Sequence, residues 1–150
     1  MSKSKPDHLR RRLMAASIAA PVMLALPRVA WAETGVTEDK IVIGAFLPLQ
    51  SGLAAGAAQM RDGADAYFRS VNDAGGIHGR KIEWIVENDS YNPQQAVAVA
   101  KKLVDRDGVF AIVSSLGTAN NLAALPFLVQ RKVPVINPAG SRIGEIVAST

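Results

Sequence analysis

A doubly wound α/β sheet, with parallel strands in the order 2-1-3-4, is the fold this 150-residue sequence predicts. Three observations point to it. Short apolar runs alternate four times with segments whose apolar residues recur at helical spacing, the pattern of successive strand–helix units. The first run, Ile41–Leu47, is apolar without a break, as suits a strand covered on both faces. The second run alternates apolar and polar residues, which suits a strand at or near a sheet edge. Right-handed crossovers then carry the third and fourth strands to the far side of the first. A chain of this length can bury one ordinary core.

Each element has its own justification. After the first strand, the Gly- and Ala-rich stretch Gln50–Ala58 reads as a loop, followed by a helix from about Gln59 to Ala74. Met60, Ala64, Tyr67, Phe68 and Val71 form the apolar stripe of that helix. Arg61, Asp65 and Arg69 stand four apart as a solvated row of alternating charge. Gly75 and Gly76, which tolerate positive φ, end the helix. The stretch GIHGRKIEWIVEND gives a turn and the second strand, in which Ile82, Trp84 and Val86 alternate with Lys81, Glu83 and Ile85. His78, set between two glycines, reads as a solvated turn residue.

Asn92-Pro93-Gln94-Gln95 is a compact helix start. Asn92 can cap, Pro93 takes a first-turn position where its missing N–H costs nothing, and Gln95 can complete a capping box. Ala96, Val97, Ala100, Leu103 and Val104 are the expected buried stripe, and Gly108 closes the segment. Val109–Val113 is the third strand. A third helix from about Thr118 to Gln130 carries Leu122, Leu125 and Leu128, with Pro126 expected to kink it. Val133–Ile136 is the fourth strand.

Charge separates the chain into two regions. Residues 1–32 hold Lys3, Lys5, Arg10, Arg11, Arg12 and Arg28 against Asp7, whereas the remaining 118 residues carry 11 basic and 12 acidic side chains. The basicity therefore belongs to the N-terminus, and a nucleic-acid partner is not expected. That N-terminus has the tripartite pattern of a cleavable export signal: a basic head, the apolar run Leu13–Leu26, and Ala30-Trp31-Ala32 before a cleavage point at Glu33. The run is too short for a membrane span and is interrupted by Pro21. Arg10-Arg11 fits a twin-arginine signal, and a general secretory signal with an arginine-rich head has the same appearance. The chain has no cysteine, so disulfides, thiolate–zinc sites, cysteine nucleophiles and a lipid-anchored cysteine are all excluded. The mature protein is expected in the periplasm without a membrane anchor.

Ligands of doubly wound sheets gather beyond the carboxyl ends of the strands. Here that rim comprises Pro48–Ala58, Asp89–Asn92, Ser114–Asn121 and Asn137–Arg142. The stretch SSLGTANN brings a hydroxyl and free N–H groups to a helix start, a natural cradle for a carboxylate or phosphate. NPAGS offers backbone carbonyls with little side-chain cover, then Ser141. Donors for an anion beside acceptors for a cation suit a zwitterion. Capping by Thr118 and a plain turn at Asn137–Ser141 account for the same residues, and composition alone leaves both readings open. The loop after the first strand has no G-x-G-x-x-G or G-K-[ST], no G-x-S-x-G elbow occurs, and His78 is the sole histidine after residue 32. Neither an enzyme nor a cofactor is expected.

IVIGAFLPLQSG, the long stretch from GADAYF to VFAIV, and VPVINPAGS closely resemble the periplasmic substrate-binding proteins of branched-chain amino-acid ABC transporters. These are the leucine-binding-protein-like, type I family. Its combined motifs are NDAGGIHGRKIE, D-x-x-x-P-x-x-A at the second helix, and P-x-I-x-P-A at the fourth strand. The resemblance implies a two-lobed receptor that closes on an amino acid or related small carboxylate and delivers it to permease subunits. Ligand-sensing receptors for amides or amino acids share the fold and are the alternative. It also implies that Thr118 and Ser141 hold the ligand carboxylate and that the carbonyl of Ala139 takes an ammonium. Gln50, Ser51, Leu116, Gly117 and Gly140 complete the candidate set.

The sequence departs from the family in three ways. Leu53–Ala58 lacks the aromatic residue of leucine-binding members, leaving a roomier wall that admits a larger amino acid, an aromatic or aliphatic carboxylate, or an amide. Tyr91 and Gly117 stand where some members have paired cysteines, a change expected to affect bracing more than recognition. Family proteins are also more than twice as long. Residues 33–150 are therefore expected to be part of a first lobe, weak in binding without the second.

Overall fold

The computed structural model describes residues 33–140. The export-signal reading of residues 1–32 and the role expected of Ser141 lie outside the described residues. The elements are β1 (Lys40–Leu47), α1 (Ala54–Asp73), β2 (Lys81–Asn88), α2 (Pro93–Lys101) continued by a π-helical turn (Lys102–Arg106), β3 (Ala111–Val113), α3 (Thr118–Gln130) and β4 (Val135–Ile136). All pairings between the four strands are parallel, and the order is β2-β1-β3-β4, as the sequence predicts. Ile43 lies opposite Trp84 on one side and Ala111 on the other, and Ile112 lies opposite Val135. No helix among the described residues is long and apolar enough to cross a membrane.

The unbroken apolar run of β1 is explained by its two covered faces. Val42 and Phe46 face a core with Ala96, Val99, Ala100, Leu103, Val109, Ile112, Ala124 and Leu128 from the α2 and α3 side. Ala45 and Leu47 face Ala57 of α1, with Trp84, Val86, Leu49 and Leu116 packed around them. Period-two alternation puts successive residues of one strand into different cores. Gly44 makes room for the helix layer: a Cβ there would lie 3.1 Å from Val109 Cγ1 and 3.2 Å from Leu103 Cδ1. On the α1 side, the ring of Phe68 meets Trp84 edge to face, with centroids 5.3 Å apart.

Three boundaries differ from expectation. The first helix starts at Ala54 rather than near Gln59, so half of the supposed loop is its first turn. Alanine has the highest helix propensity of any residue, and Gly56 is too weak a breaker to stop the run. Strand β3 starts at Ala111 rather than Val109, because the Val109 amide donates to Leu103 O at the end of the helix. Similarly, Val133 N donates to Leu128 O, which delays β4 to Val135. In α2, Asn92 accepts from the amides of Gln94 and Gln95, but the Gln95 side chain bonds Asn88 O instead of closing a capping box. Asp65 does pair with Arg69 on α1, while Arg61 turns to Asp62. In the second helix Val99 is buried and Val97 only partly so.

Candidate ligand-binding site

The site starts from two chain segments that leave adjacent strands and stay together. Beyond the ends of β3 and β4, Leu116 and Ala139 form an isolated parallel bridge. Ala139 N donates to Ser115 O and Gly117 N donates to Ala139 O, both at 2.8 Å. Gly140 then packs on the start of α3. A Cβ at Gly140 would collide with Thr118 Oγ1 and lie 3.0 Å from the Thr118 amide nitrogen. Thus Leu116, Gly117, Thr118, Ala139 and Gly140, five of the eight expected residues, meet at the carboxyl rim of the sheet.

The turn is less bare than its composition suggests. Ala139 is bonded through both its N–H and its carbonyl, so one of two carbonyl lone pairs is already used. Thr118 is the first residue of α3, and Gly117 occupies the cap position with φ +117°, a conformation open to glycine. Capping by Thr118, the plainer reading of this residue, is therefore not what the helix start shows. The first-turn amides of a 13-residue helix point out of its end and attract an anion. Gln50 and Ser51 reach the same rim from β1. Gln50 is exposed, whereas the Ser51 hydroxyl donates to Pro48 O at 3.0 Å and accepts from Leu53 N at 3.1 Å. Ser51 is thus committed to its own turn.

A buried polar network supports this rim, and its members were not singled out as site residues from the sequence. Asp89, Ser115 and Asn120 are fully buried, and Asn121 nearly so. Asp89 accepts from Asn120 Nδ2 at 2.7 Å and from Tyr91 N at 2.9 Å. Asn121 bonds the Ser115 hydroxyl and donates to Gly117 O at 2.9 Å. The network links the loop after β2, the loop after β3 and the first turn of α3. Burial pushes the Asp89 carboxyl above its ordinary value, against the opposing pull of the Asn120 and Tyr91 hydrogen bonds. Asn120 Oδ1 finds no hydrogen-bond partner among the described residues. The signals were present in the sequence: Asp89 opens the D-x-x-x-P-x-x-A motif, and Asn120-Asn121 places two amides near the start of an otherwise apolar helix.

Backbone strain marks the same rim. Six non-glycine residues among those described have positive φ, and four of them follow strand ends: Ser90 (+50°), Tyr91 (+58°), Ser114 (+57°) and Asn137 (+51°). Such conformations cost of order 1–3 kcal/mol each and concentrate where geometry serves binding. By contrast, a surface cavity lined by Thr34, Phe110, Lys132, Val133 and Pro134 lies at the amino ends of β3 and β4. The carboxyl ends of the helices point that way, and the lining mixes Glu33 and Asp105 with Arg131 and Lys132, so it forms no cradle of a single charge. Among the described residues no three His, Asp or Glu side chains are grouped to hold a metal ion.

A family model described as periplasmic binding protein matches residues 40–149. The chain is 28% identical over 131 residues to the Leu/Ile/Val-binding protein homolog 1 of Brucella abortus (strain 2308), covering 87% of this chain and 33% of that protein. In fold it is similar to the branched-chain amino-acid substrate-binding protein LivJ of Streptococcus pneumoniae in complex with isoleucine, at TM-score 0.64 and 27% identity, covering 69% of this chain and 30% of that one. It is also similar to a solute-binding protein of an ABC transporter from Rhodopseudomonas palustris BisB5 in complex with 3,4-dihydroxybenzoic acid. That match has TM-score 0.65 and 29% identity, and covers 75% of this chain and 30% of the other. The chain spans about a third of the length of the curated relatives it matches.

Proposed function

The chain belongs to the periplasmic binding protein family, of the leucine-binding-protein-like type I kind, and from that membership we propose that it is part of the first ligand-binding lobe of an extracytoplasmic receptor for a small carboxylate. In this reading a second lobe closes over the rim, and the closed receptor hands its ligand to the permease of an ABC transporter. It has no catalytic step. The export-signal pattern of residues 1–32 favours a periplasmic receptor over an intracellular sensor of the same fold.

The observation that carries the proposal is the contact of Thr118 with Gly140 at the carboxyl rim, held by the Leu116–Ala139 bridge. It sets a helix start, a hydroxyl residue and a turn backbone against one small volume. Thr118 and Ser141 would donate to the carboxylate. The second lone pair of the Ala139 carbonyl remains for an ammonium where the ligand has one. The ligands in the two similar structures, isoleucine and 3,4-dihydroxybenzoic acid, share a carboxylate and little else. A carboxylate is therefore the feature assigned to this half of the site, and the rest of the ligand is left to the surrounding walls.

Thermal unfolding of the full-length protein with a panel of amino acids, aromatic acids, aliphatic acids, amides and sugars tests this. A carboxylate present at ~100 times its dissociation constant should stabilise the protein by about 2.7 kcal/mol. If a sugar or a simple amide stabilises it and no carboxylate does, the proposal fails.

A further inference from the structure

We propose that Tyr91 is a specificity-determining wall of this site, selecting carboxylates that carry a planar or branched apolar group over small ones. The inference rests on the reading of the rim as a carboxylate site and extends it to the part of the ligand beyond the carboxylate. It assigns recognition to Tyr91 in addition to the bracing expected of the Tyr91 and Gly117 pair.

Tyr91 is 43% exposed, an unusual state for a large ring fixed so firmly at its backbone. Its φ of +58° is a strained conformation for a bulky residue. Its amide is fixed on Asp89 Oδ1 at 2.9 Å, and the other carboxylate oxygen of Asp89 is fixed by Asn120 of α3. Both of those side chains are fully buried. The ring lies against Gly117: a Cβ there would fall 2.8 Å from Tyr91 Cε2 and 3.2 Å from Cδ2. Only a residue without a side chain leaves room for the ring beside the α3 start. One edge of the ring is therefore seated on backbone next to Thr118, while much of the residue stays open. This is a preorganised aromatic surface beside an anion cradle. A ligand group resting on it needs little further ordering of the ring, and an aromatic ligand group gains ring-on-ring contact beyond simple burial. Residues 48–58, the loop after β1 and the first turn of α1, hold no aromatic residue where leucine-binding relatives are expected to supply one.

The test is calorimetric titration of the full-length protein and its Tyr91→Ala and Tyr91→Phe variants with L-leucine, L-phenylalanine, 4-hydroxybenzoate, L-alanine and acetate. Tyr91→Ala should weaken the bulky or aromatic ligands about tenfold and the small ones less than about twofold. Tyr91→Phe should stay within about twofold for all, because the contact is made by the ring. Equal losses for large and small ligands, or no loss, would overturn the role of Tyr91 while leaving the carboxylate site standing. Failure of the unmodified protein to bind any of the five would overturn both.

Discussion

A carboxyl group sealed from water with no cation against it holds its proton more tightly than one in solution. Asp89 is in this position: it is fully buried, and its hydrogen bonds come from an amide side chain and a backbone N–H, with no ion pair to it among the described residues. Its pKa in the fold is raised above the ordinary 3.8, with burial as the largest cause. The raised value means that the folded state binds the proton better than the unfolded one. The favourable contribution is complete below about pH 3.8 and is lost as pH rises through the raised folded value. Asp89→Asn cannot ionise, so its stability relative to the parent protein should rise across that window and level off above it. Chemical unfolding of both proteins from pH 3 to pH 7 checks this. A difference that does not change with pH would mean that Asp89 is not desolvated in the way the fold implies. Retaining a costly carboxylate makes sense if its two oxygens are needed to hold Tyr91 and α3 at the rim.

The elements show how much of the fold was legible in the chain. Strand order followed from the unbroken apolar run of β1 and the alternation of β2, because those patterns report burial directly. The bounds of α3 and the Asn92 cap followed from local chemistry that needs no tertiary partner. The start of α1 did not, since Gly and Ala at 54–58 suit either a loop or a helix turn and only packing of Ala57 against Ala45 and Leu47 decides. The π-helical turn at Lys102–Arg106 was equally silent, for nothing in KLVDR distinguishes it from α-helix. Its purpose is visible in space. Leu103 is fully buried, and its methyl groups occupy the position left open by Gly44. Lys102, on the same turn, pairs with Glu87 of β2 at 2.7 Å and Asp107 at 2.8 Å. Leu103→Ala should therefore destabilise the fold by about 2–5 kcal/mol, measured by denaturant titration. A loss under about 1 kcal/mol would show that β1 and the helix layer close over the gap. Within the site, the residue types at Thr118, Ala139 and Gly140 were readable, but the Leu116–Ala139 bridge that joins them was not. That bridge connects segments more than twenty residues apart through their backbones, which leave no mark on side-chain pattern.

At the scale of the whole molecule, the parallel sheet separates stability from recognition. Its two faces are covered by apolar layers built from alternate residues of β1. Its carboxyl rim is polar, strained at Ser90, Tyr91, Ser114 and Asn137, and tied together by Asp89, Asn120 and Asn121. Rigid strands thus deliver flexible chemistry to one edge, where loop identity can change without altering the layers beneath. Membership in the periplasmic binding protein family fits that division. The central claim is that the helix start at Thr118 and the turn ending β4 together grip a carboxylate. A crystal structure of the full-length protein grown with its most stabilising carboxylate tests this most directly. The account predicts carboxylate oxygens within hydrogen-bond distance of Thr118 and Ser141, with the rest of the ligand beside the Tyr91 ring. Ligand density bound elsewhere, with residues 114–118 and 137–141 untouched, would contradict it.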